Sequence, residues 1–154
     1  MRLVVQRVTR ASVHSGGALL GGIGPGAVVL AGIGHEDTAE IIDRMADKLI
    51  GLRYFEDAEG RTNLAIGDAG GSLLVVSQFT LYADLRRGRR PGFTAAALPD
   101  AATPLVDRFV ERLRASVPVE TGRFGADMLV SLTNDGPVTV IVDSTDRSSG
   151  GGGR

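Results

Sequence analysis

Apolar positions along this chain fall mostly into short alternating or unbroken runs punctuated by glycine, and only two stretches repeat at helical spacing. Leu3 to Val8 and Ala11 to Ser15 read as strands, the second ending at Gly16-Gly17, a pair that accepts the positive φ of a hairpin turn. Ala18 to Ile23 is its expected partner. Gly24-Pro25-Gly26 marks a further turn before Ala27 to Ile33, apolar almost throughout and predicted to be a central strand. Asp37 with Glu40 resembles a capping box, and Ile41, Ile42, Met45, Ala46, Leu49 and Ile50 then share one face, predicting a helix from 38 to 52. Tyr54-Phe55, the turn at Asp57 to Gly60, Asn63-Leu64 and the loop Gly67 to Gly71 lead into a buried strand at Leu73 to Val76. Thr103 as N-cap and Pro104 as first helical residue open a second helix with an apolar stripe of Leu105, Val106, Phe109, Val110 and Leu113, ended by Pro118. Val119 to Gly125 is a strand or hairpin arm and Met128 to Thr133 another strand. Asn134-Asp135-Gly136-Pro137 is a turn before a last strand, Val138 to Val142. The sum is a β-rich α+β fold, a curled sheet or barrel with two main helices packed against it. A single domain is expected over residues 1–144, and the Ser/Gly-rich residues 145–154 are expected to form a mobile tail.

Composition narrows the chemistry. A chain of 154 residues buries a sizeable core without staples, and its lack of cysteine removes disulfides and thiolate metal sites. The two histidines, His14 and His35, make no metal-binding pair, so neither a metal nor a cofactor is expected. No apolar run approaches the length of a signal peptide or membrane span, which points to a soluble, cytoplasmic protein. A formal net charge of -1 argues against sequence-independent tracking along nucleic acid but leaves room for a local contact to one end of an RNA.

Candidate chemistry gathers from Leu73 to Asp84. The apolar run ends in Ser77, Gln78, Phe79 and Thr80, three polar side chains around one aromatic, read either as a polar site or as groups that merely satisfy backbone at a strand end. Just downstream lies the one charge cluster, Arg86, Arg87, Arg89 and Arg90, read either as a phosphate-holding patch or as a solvated loop.

Three motifs in order carry a family resemblance over nearly the whole chain: Val5-Gln6-Arg7-Val8-Thr9-Arg10-Ala11-Ser12-Val13, Ser77-Gln78-Phe79-Thr80-Leu81 and Asn134-Asp135-Gly136-Pro137-Val138-Thr139. With the run Thr121 to Met128, they resemble the D-aminoacyl-tRNA deacylase family, also called D-tyrosyl-tRNA deacylase. One departure is Arg90-Pro91-Gly92-Phe93, where the family commonly has serine at the third place, so a hydroxyl role at position 92 is lost. The resemblance implies hydrolysis of the ester joining a D-amino acid to the terminal adenosine of tRNA, a chiral proofreading step in translation quality control, with glycyl-tRNA as a further possible substrate. It also implies catalytic residues Ser77, Gln78, Phe79 and Thr80, and substrate-binding residues Gly136, Pro137, Arg7, Met128 and Phe93. Arg86, Arg87, Arg89 and Arg90 then contact tRNA. In the family the Gly-Pro bond is cis and reaches into the pocket of a homodimeric partner, where its carbonyl oxygens exclude an L side chain. Arg7 resembles the arginine that props this wall.

Two mechanisms stay open. Thr80 is a nucleophile that lacks an evident base along the chain, or backbone N–H groups around Gln78, Phe79 and Thr80 hold the oxyanion while the 2′-hydroxyl of the terminal ribose helps activate water. An aminoacyl ester is already activated, so the second scheme needs no strong protein base, which suits a sequence without a Ser-His-Asp arrangement. Beside these readings stand a deacylase of another mischarged aminoacyl-tRNA and a non-catalytic module that binds the acceptor end.

Overall fold

The computed structural model describes residues 1–146, so most of the expected tail lies outside the described residues. Its first two residues do not: Thr145 donates its N–H to Asp143 Oδ1 at 2.9 Å, closing a turn after the last strand. The chain runs β1 (Arg2–Ser15), β2 (Ala18–Ile23), β3 (Gly26–Gly32), α1 (Ala39–Gly51), β4 (Arg53–Glu56), β5 (Thr62–Ala65), β6 (Ser72–Ser77), α2 (Pro99–Arg114), β7 (Val119–Thr121) and β8 (Leu129–Asp143), with a 3-10 turn at Phe79–Tyr82. The main sheet has the order β2-β1-β3-β6-β7, and β8 pairs with β1. β2 at one end leans on β6 and β7 at the other, so the sheet curls into a nearly closed barrel.

The unbroken apolar runs have a direct cause. β3 and β6 are parallel neighbours in mid-sheet, covered on both faces, and such strands lose the alternation of a half-exposed strand. Leu73 and Val75 join the core under the helices with Leu3, Val5, Val29 and Phe109, whereas Leu74 and Val76 turn into the barrel with Val8, Val13 and Val28. Phe109 and Leu113 from α2, and Met45 and Leu49 from α1, are almost fully buried and fix both helices on one face of the sheet. Each such side chain contributes about 1.5–3 kcal/mol by leaving water.

Several expectations are corrected. β1 is one strand of 14 residues rather than two, because β3 pairs with its first half, β2 with its second, and β8 runs along nearly all of it. Thr38, not Asp37, caps α1 by accepting from the Ile41 N–H; Asp37 receives the Met1 ammonium at 2.5 Å and the Gly34 N–H at 2.7 Å. α2 begins at Pro99 and carries Pro104 inside its first turns, so Thr103 is not a cap; its hydroxyl donates to Pro99 O at 2.8 Å. Val119 to Gly125 contributes only three strand residues.

The largest correction concerns Asn134 to Pro137, which is no turn between strands. β8 is continuous, 15 residues long, and these four residues form an irregular step within it, where the pairing with β1 shifts register on either side of Val8. Asn134 bridges the step, donating from Nδ2 to Arg7 O at 2.8 Å and to Val138 O at 2.9 Å. The Gly136-Pro137 peptide bond is cis. Gly136 has φ +126°, and a Cβ there would lie 3.0 Å from Val138 N and 3.2 Å from the Arg7 guanidinium, so the position demands glycine.

Candidate active site

β6 delivers the polar cluster. It ends at Ser77 beside the end of β3, and Gln78 continues the ladder by donating its N–H to Ala31 O at 2.8 Å. The chain then tightens into the 3-10 turn Phe79–Tyr82. That turn rests on the backbone after β3, where a Cβ at Gly32 would come within 2.9 Å of Gln78 O and 3.1 Å of the Leu81 side chain. Gly32 therefore sets how closely the turn approaches the sheet.

Beside this strand end lies a cavity of about 540 Å³ lined by Ser77, Gln78, Phe79, Phe93 and Met128, five of the expected site residues. Phe79 and Phe93 meet edge to face, with ring centroids 5.0 Å apart, and form one apolar wall. Further lining comes from Phe124 and from Leu98 and Pro99 at the start of α2. The sequence reading passed over these: Phe124 lies in the Thr121–Met128 run, but nothing local assigns it a role, and Leu98 preceded the expected helix start.

Thr80 is exposed and lies outside this lining. Its hydroxyl accepts a hydrogen bond from Gln78 Nε2, and no imidazole or carboxylate bonds to it among the described residues. A threonine nucleophile thus has no base at hand. The amides divide unequally: that of Gln78 is used by Ala31, which corrects the expectation that all three serve an oxyanion. Those of Phe79 and Thr80 open the 3-10 turn, where no earlier turn supplies a carbonyl, and the Gln78 side chain does not cap them.

Gly136, Pro137 and Arg7 form a second cluster, apart from this cavity. Arg7 is 5% exposed, not the surface residue that a first-strand arginine commonly is. Its Nη1 donates to Tyr54 O at 3.0 Å and its Nε to Asp135 O at 3.2 Å, with Asp135 and Glu56 carboxylates 3.3 and 3.7 Å away. The guanidinium thereby ties the step in β8 to β4. Pro137 lies on the exposed side of β8, so one chain does not bring its Gly-Pro segment to its own cavity.

The arginine cluster occupies a lobe whose ends are held by the Asp84–Gly92 backbone pair, with N···O distances of 2.7 and 2.9 Å. Arg86 is neutralised locally, its Nη2 2.7 Å from Asp84 Oδ2, and its hydrogen bonds hold the Asp84 carboxyl down to about 2. Arg87, Arg89 and Arg90 make no ion pair among the described residues and project from the lobe that leads to Phe93. A Cβ at Gly92 would meet only Asp84 O, at 3.9 Å, so packing does not require glycine there.

A curled sheet with two helices on one face, a polar strand end beside an apolar cavity and a Gly-Pro step on the outer strand define the structural class. The same class holds a solved chain described as "c-Myc DNA Unwinding Element Binding Protein", with TM-score 0.88 and 41% identity over 93% of this chain and 98% of that one. The family model described as D-Tyr-tRNA(Tyr) deacylase matches residues 4–143, and the chain belongs to that family. Curated relatives named D-aminoacyl-tRNA deacylase include one from Chlorobaculum parvum, 60% identical over 94% of this chain and 98% of its own length. Another, from Symbiobacterium thermophilum, is 59% identical over 94% and 96%.

Proposed function

We propose that the protein hydrolyses the ester between a D-amino acid and the terminal adenosine of tRNA, releasing the D-amino acid and free tRNA. Near-full-length similarity to relatives named D-aminoacyl-tRNA deacylase carries this reading. In the reaction, water adds to the ester carbonyl, and the N–H groups of Phe79 and Thr80 receive the charge that develops on its oxygen. The 2′-hydroxyl of the terminal ribose assists removal of a proton from the water, and the ribose 3′-oxygen leaves with a proton. Gln78 and Ser77 orient the ester, while Phe79, Phe93 and Met128 shape the cavity. Among the described residues no helix is long and apolar enough to cross a membrane.

The reading includes a homodimer in which Gly136-Pro137 of each chain closes the cavity of its partner. Three features support it: the Gly-Pro segment lies apart from its own cavity, β8 is an edge strand, and Leu129 and Ile141 on it are 76% and 72% exposed. A main-chain wall that excludes an L side chain makes no contact with a D side chain, so activity should extend over many D-amino acids. Sedimentation of the wild type should give a dimer, and Ile141→Lys should shift it to monomer with loss of hydrolysis. A fully active monomer would remove the shared-site reading.

Comparing release of D- and L-tyrosine from charged tRNA tests the activity itself. Faster release of D-tyrosine is expected; equal release contradicts the chiral reading, and protection of both esters identifies a binding module instead. For the arginine lobe, replacing Arg87 and Arg89 by glutamine should weaken binding alike for every aminoacyl group and lower the salt slope by about 1.5–2. An unchanged slope returns the lobe to a solvated loop.

A further inference from the structure

A second cavity, of about 300 Å³, lies between the outer half of α2 and the strands β6 and β7. Ser77, Val106 and Phe124 line both cavities, so the two are neighbours on either side of these side chains. Val106, Val110 and Phe124 give it an apolar floor, and its polar rim carries Asp107, Glu111 and Arg114. Asp107 and Glu111 are one helical turn apart on α2. Neither makes an ion pair among the described residues, whereas Asp43 and Asp47 on the neighbouring helix are each bridged by an arginine, at 2.7 and 2.8 Å. Arg114 directs Nε to Val119 O at 3.5 Å.

This lining repels a phosphate, since two free carboxylates face one guanidinium. It suits a flat neutral group with N–H donors on its edge, stacked against an aromatic ring. Resting on the deacylase reading, we propose that this cavity receives the base of the penultimate nucleotide of the tRNA, a cytidine in the C-C-A end. Cytosine presents its N4 amino group to the carboxylates of Asp107 and Glu111, while uracil presents a carbonyl oxygen at the same place. The carboxylates read the donor, and Phe124 separates this base from the terminal adenosine.

The test uses D-tyrosyl esters of adenosine, of cytidylyl-adenosine and of uridylyl-adenosine. For the wild type, kcat/KM on the cytidylyl ester should exceed that on the uridylyl ester by about tenfold. In Asp107→Asn/Glu111→Gln the carboxamides also donate, so they accept uracil as a partner and the ratio should fall towards one. Both substitutions are isosteric and on exposed side chains, so the ratio reports recognition rather than folding. Equal wild-type rates on the two dinucleotide esters, or a ratio unchanged in the double variant, would overturn the subsite while leaving the deacylase reading intact. Stability of all three esters and of D-tyrosyl-tRNA would instead remove that reading, and the subsite with it.

Discussion

Replacing Phe79 by proline is expected to lower kcat by about 10²–10³-fold more than replacing it by alanine, because only proline deletes the amide assigned to the oxyanion. The comparison is fair on backbone grounds. Proline's fixed φ suits the first residue of a helical turn, and Gln78, at φ -145° and ψ 81°, already lies outside the helical region that a residue before proline avoids. Both variants lose the aromatic wall, so that loss cancels. Thr80→Ala belongs to the same series with the opposite expectation: it keeps its amide and loses only the bond from Gln78 Nε2, so the rate should fall less than about tenfold. A D-tyrosyl-tRNA ending in 2′-deoxyadenosine should be cleaved about 10²-fold or more slowly, since the assisting hydroxyl is gone. Single-turnover release of D-tyrosine measures all four. An inactive but folded Thr80→Ala together with normal cleavage of the deoxy substrate would make Thr80 a nucleophile and end the amide scheme.

Arg7→Met is expected to lower stability by about 2–4 kcal/mol, because the buried Tyr54 carbonyl is left without its donor and the part-buried Asp135 carbonyl loses a bond as well. For a chain of this size that corresponds to a fall in Tm of about 5–15 °C. Little of the effect comes from charge, since Glu56 is 59% and Asp135 49% exposed and both remain solvated without a partner. Arg7→Lys should recover only part of the loss, because one ammonium cannot serve two diverging carbonyls as the planar fork does. Loss of the brace frees the Asn134–Pro137 step, so both variants should also release L-tyrosine faster relative to D-tyrosine than the wild type does. Thermal unfolding and the ratio of L to D release check the two halves separately. A variant with unchanged Tm and unchanged selectivity would return Arg7 to an ordinary strand residue.

Much of this protein was readable from local pattern. Helix α1 followed from the spacing of Ile42, Met45 and Leu49, and the strands β3 and β6 from apolar runs too short for a helix and too continuous for an exposed sheet. The change from Val76 to Ser77 and Gln78 marked the strand end where the cavity opens, since three polar side chains interrupt a core strand without a local cause. Motif order identified the family that the near-full-length comparison supports.

What the pattern left open depends on partners distant in sequence. Thr9 and Arg10 look like a break between strands, but β8 runs beside them and pairs Val8 with Asn134 and Arg10 with Thr133, partners that no neighbouring residue reveals. Asn134 to Pro137 has the composition of a turn, and it becomes an irregular step in a strand because β1 lies alongside and Asn134 holds both edges together. Asp37 has the spacing of a cap, but the Met1 ammonium reaches it first. Arg7 becomes a buried brace only once Tyr54 and Asp135 are brought to it across the fold. The sequence by itself determined where α1, β3 and β6 lie and where the polar strand end falls, because those follow from periodicity within a few residues. Tertiary structure alone decided which amides stay free, which carboxylates stay unpaired and which face the Gly-Pro segment occupies, because each depends on what the rest of the chain places within hydrogen-bonding distance.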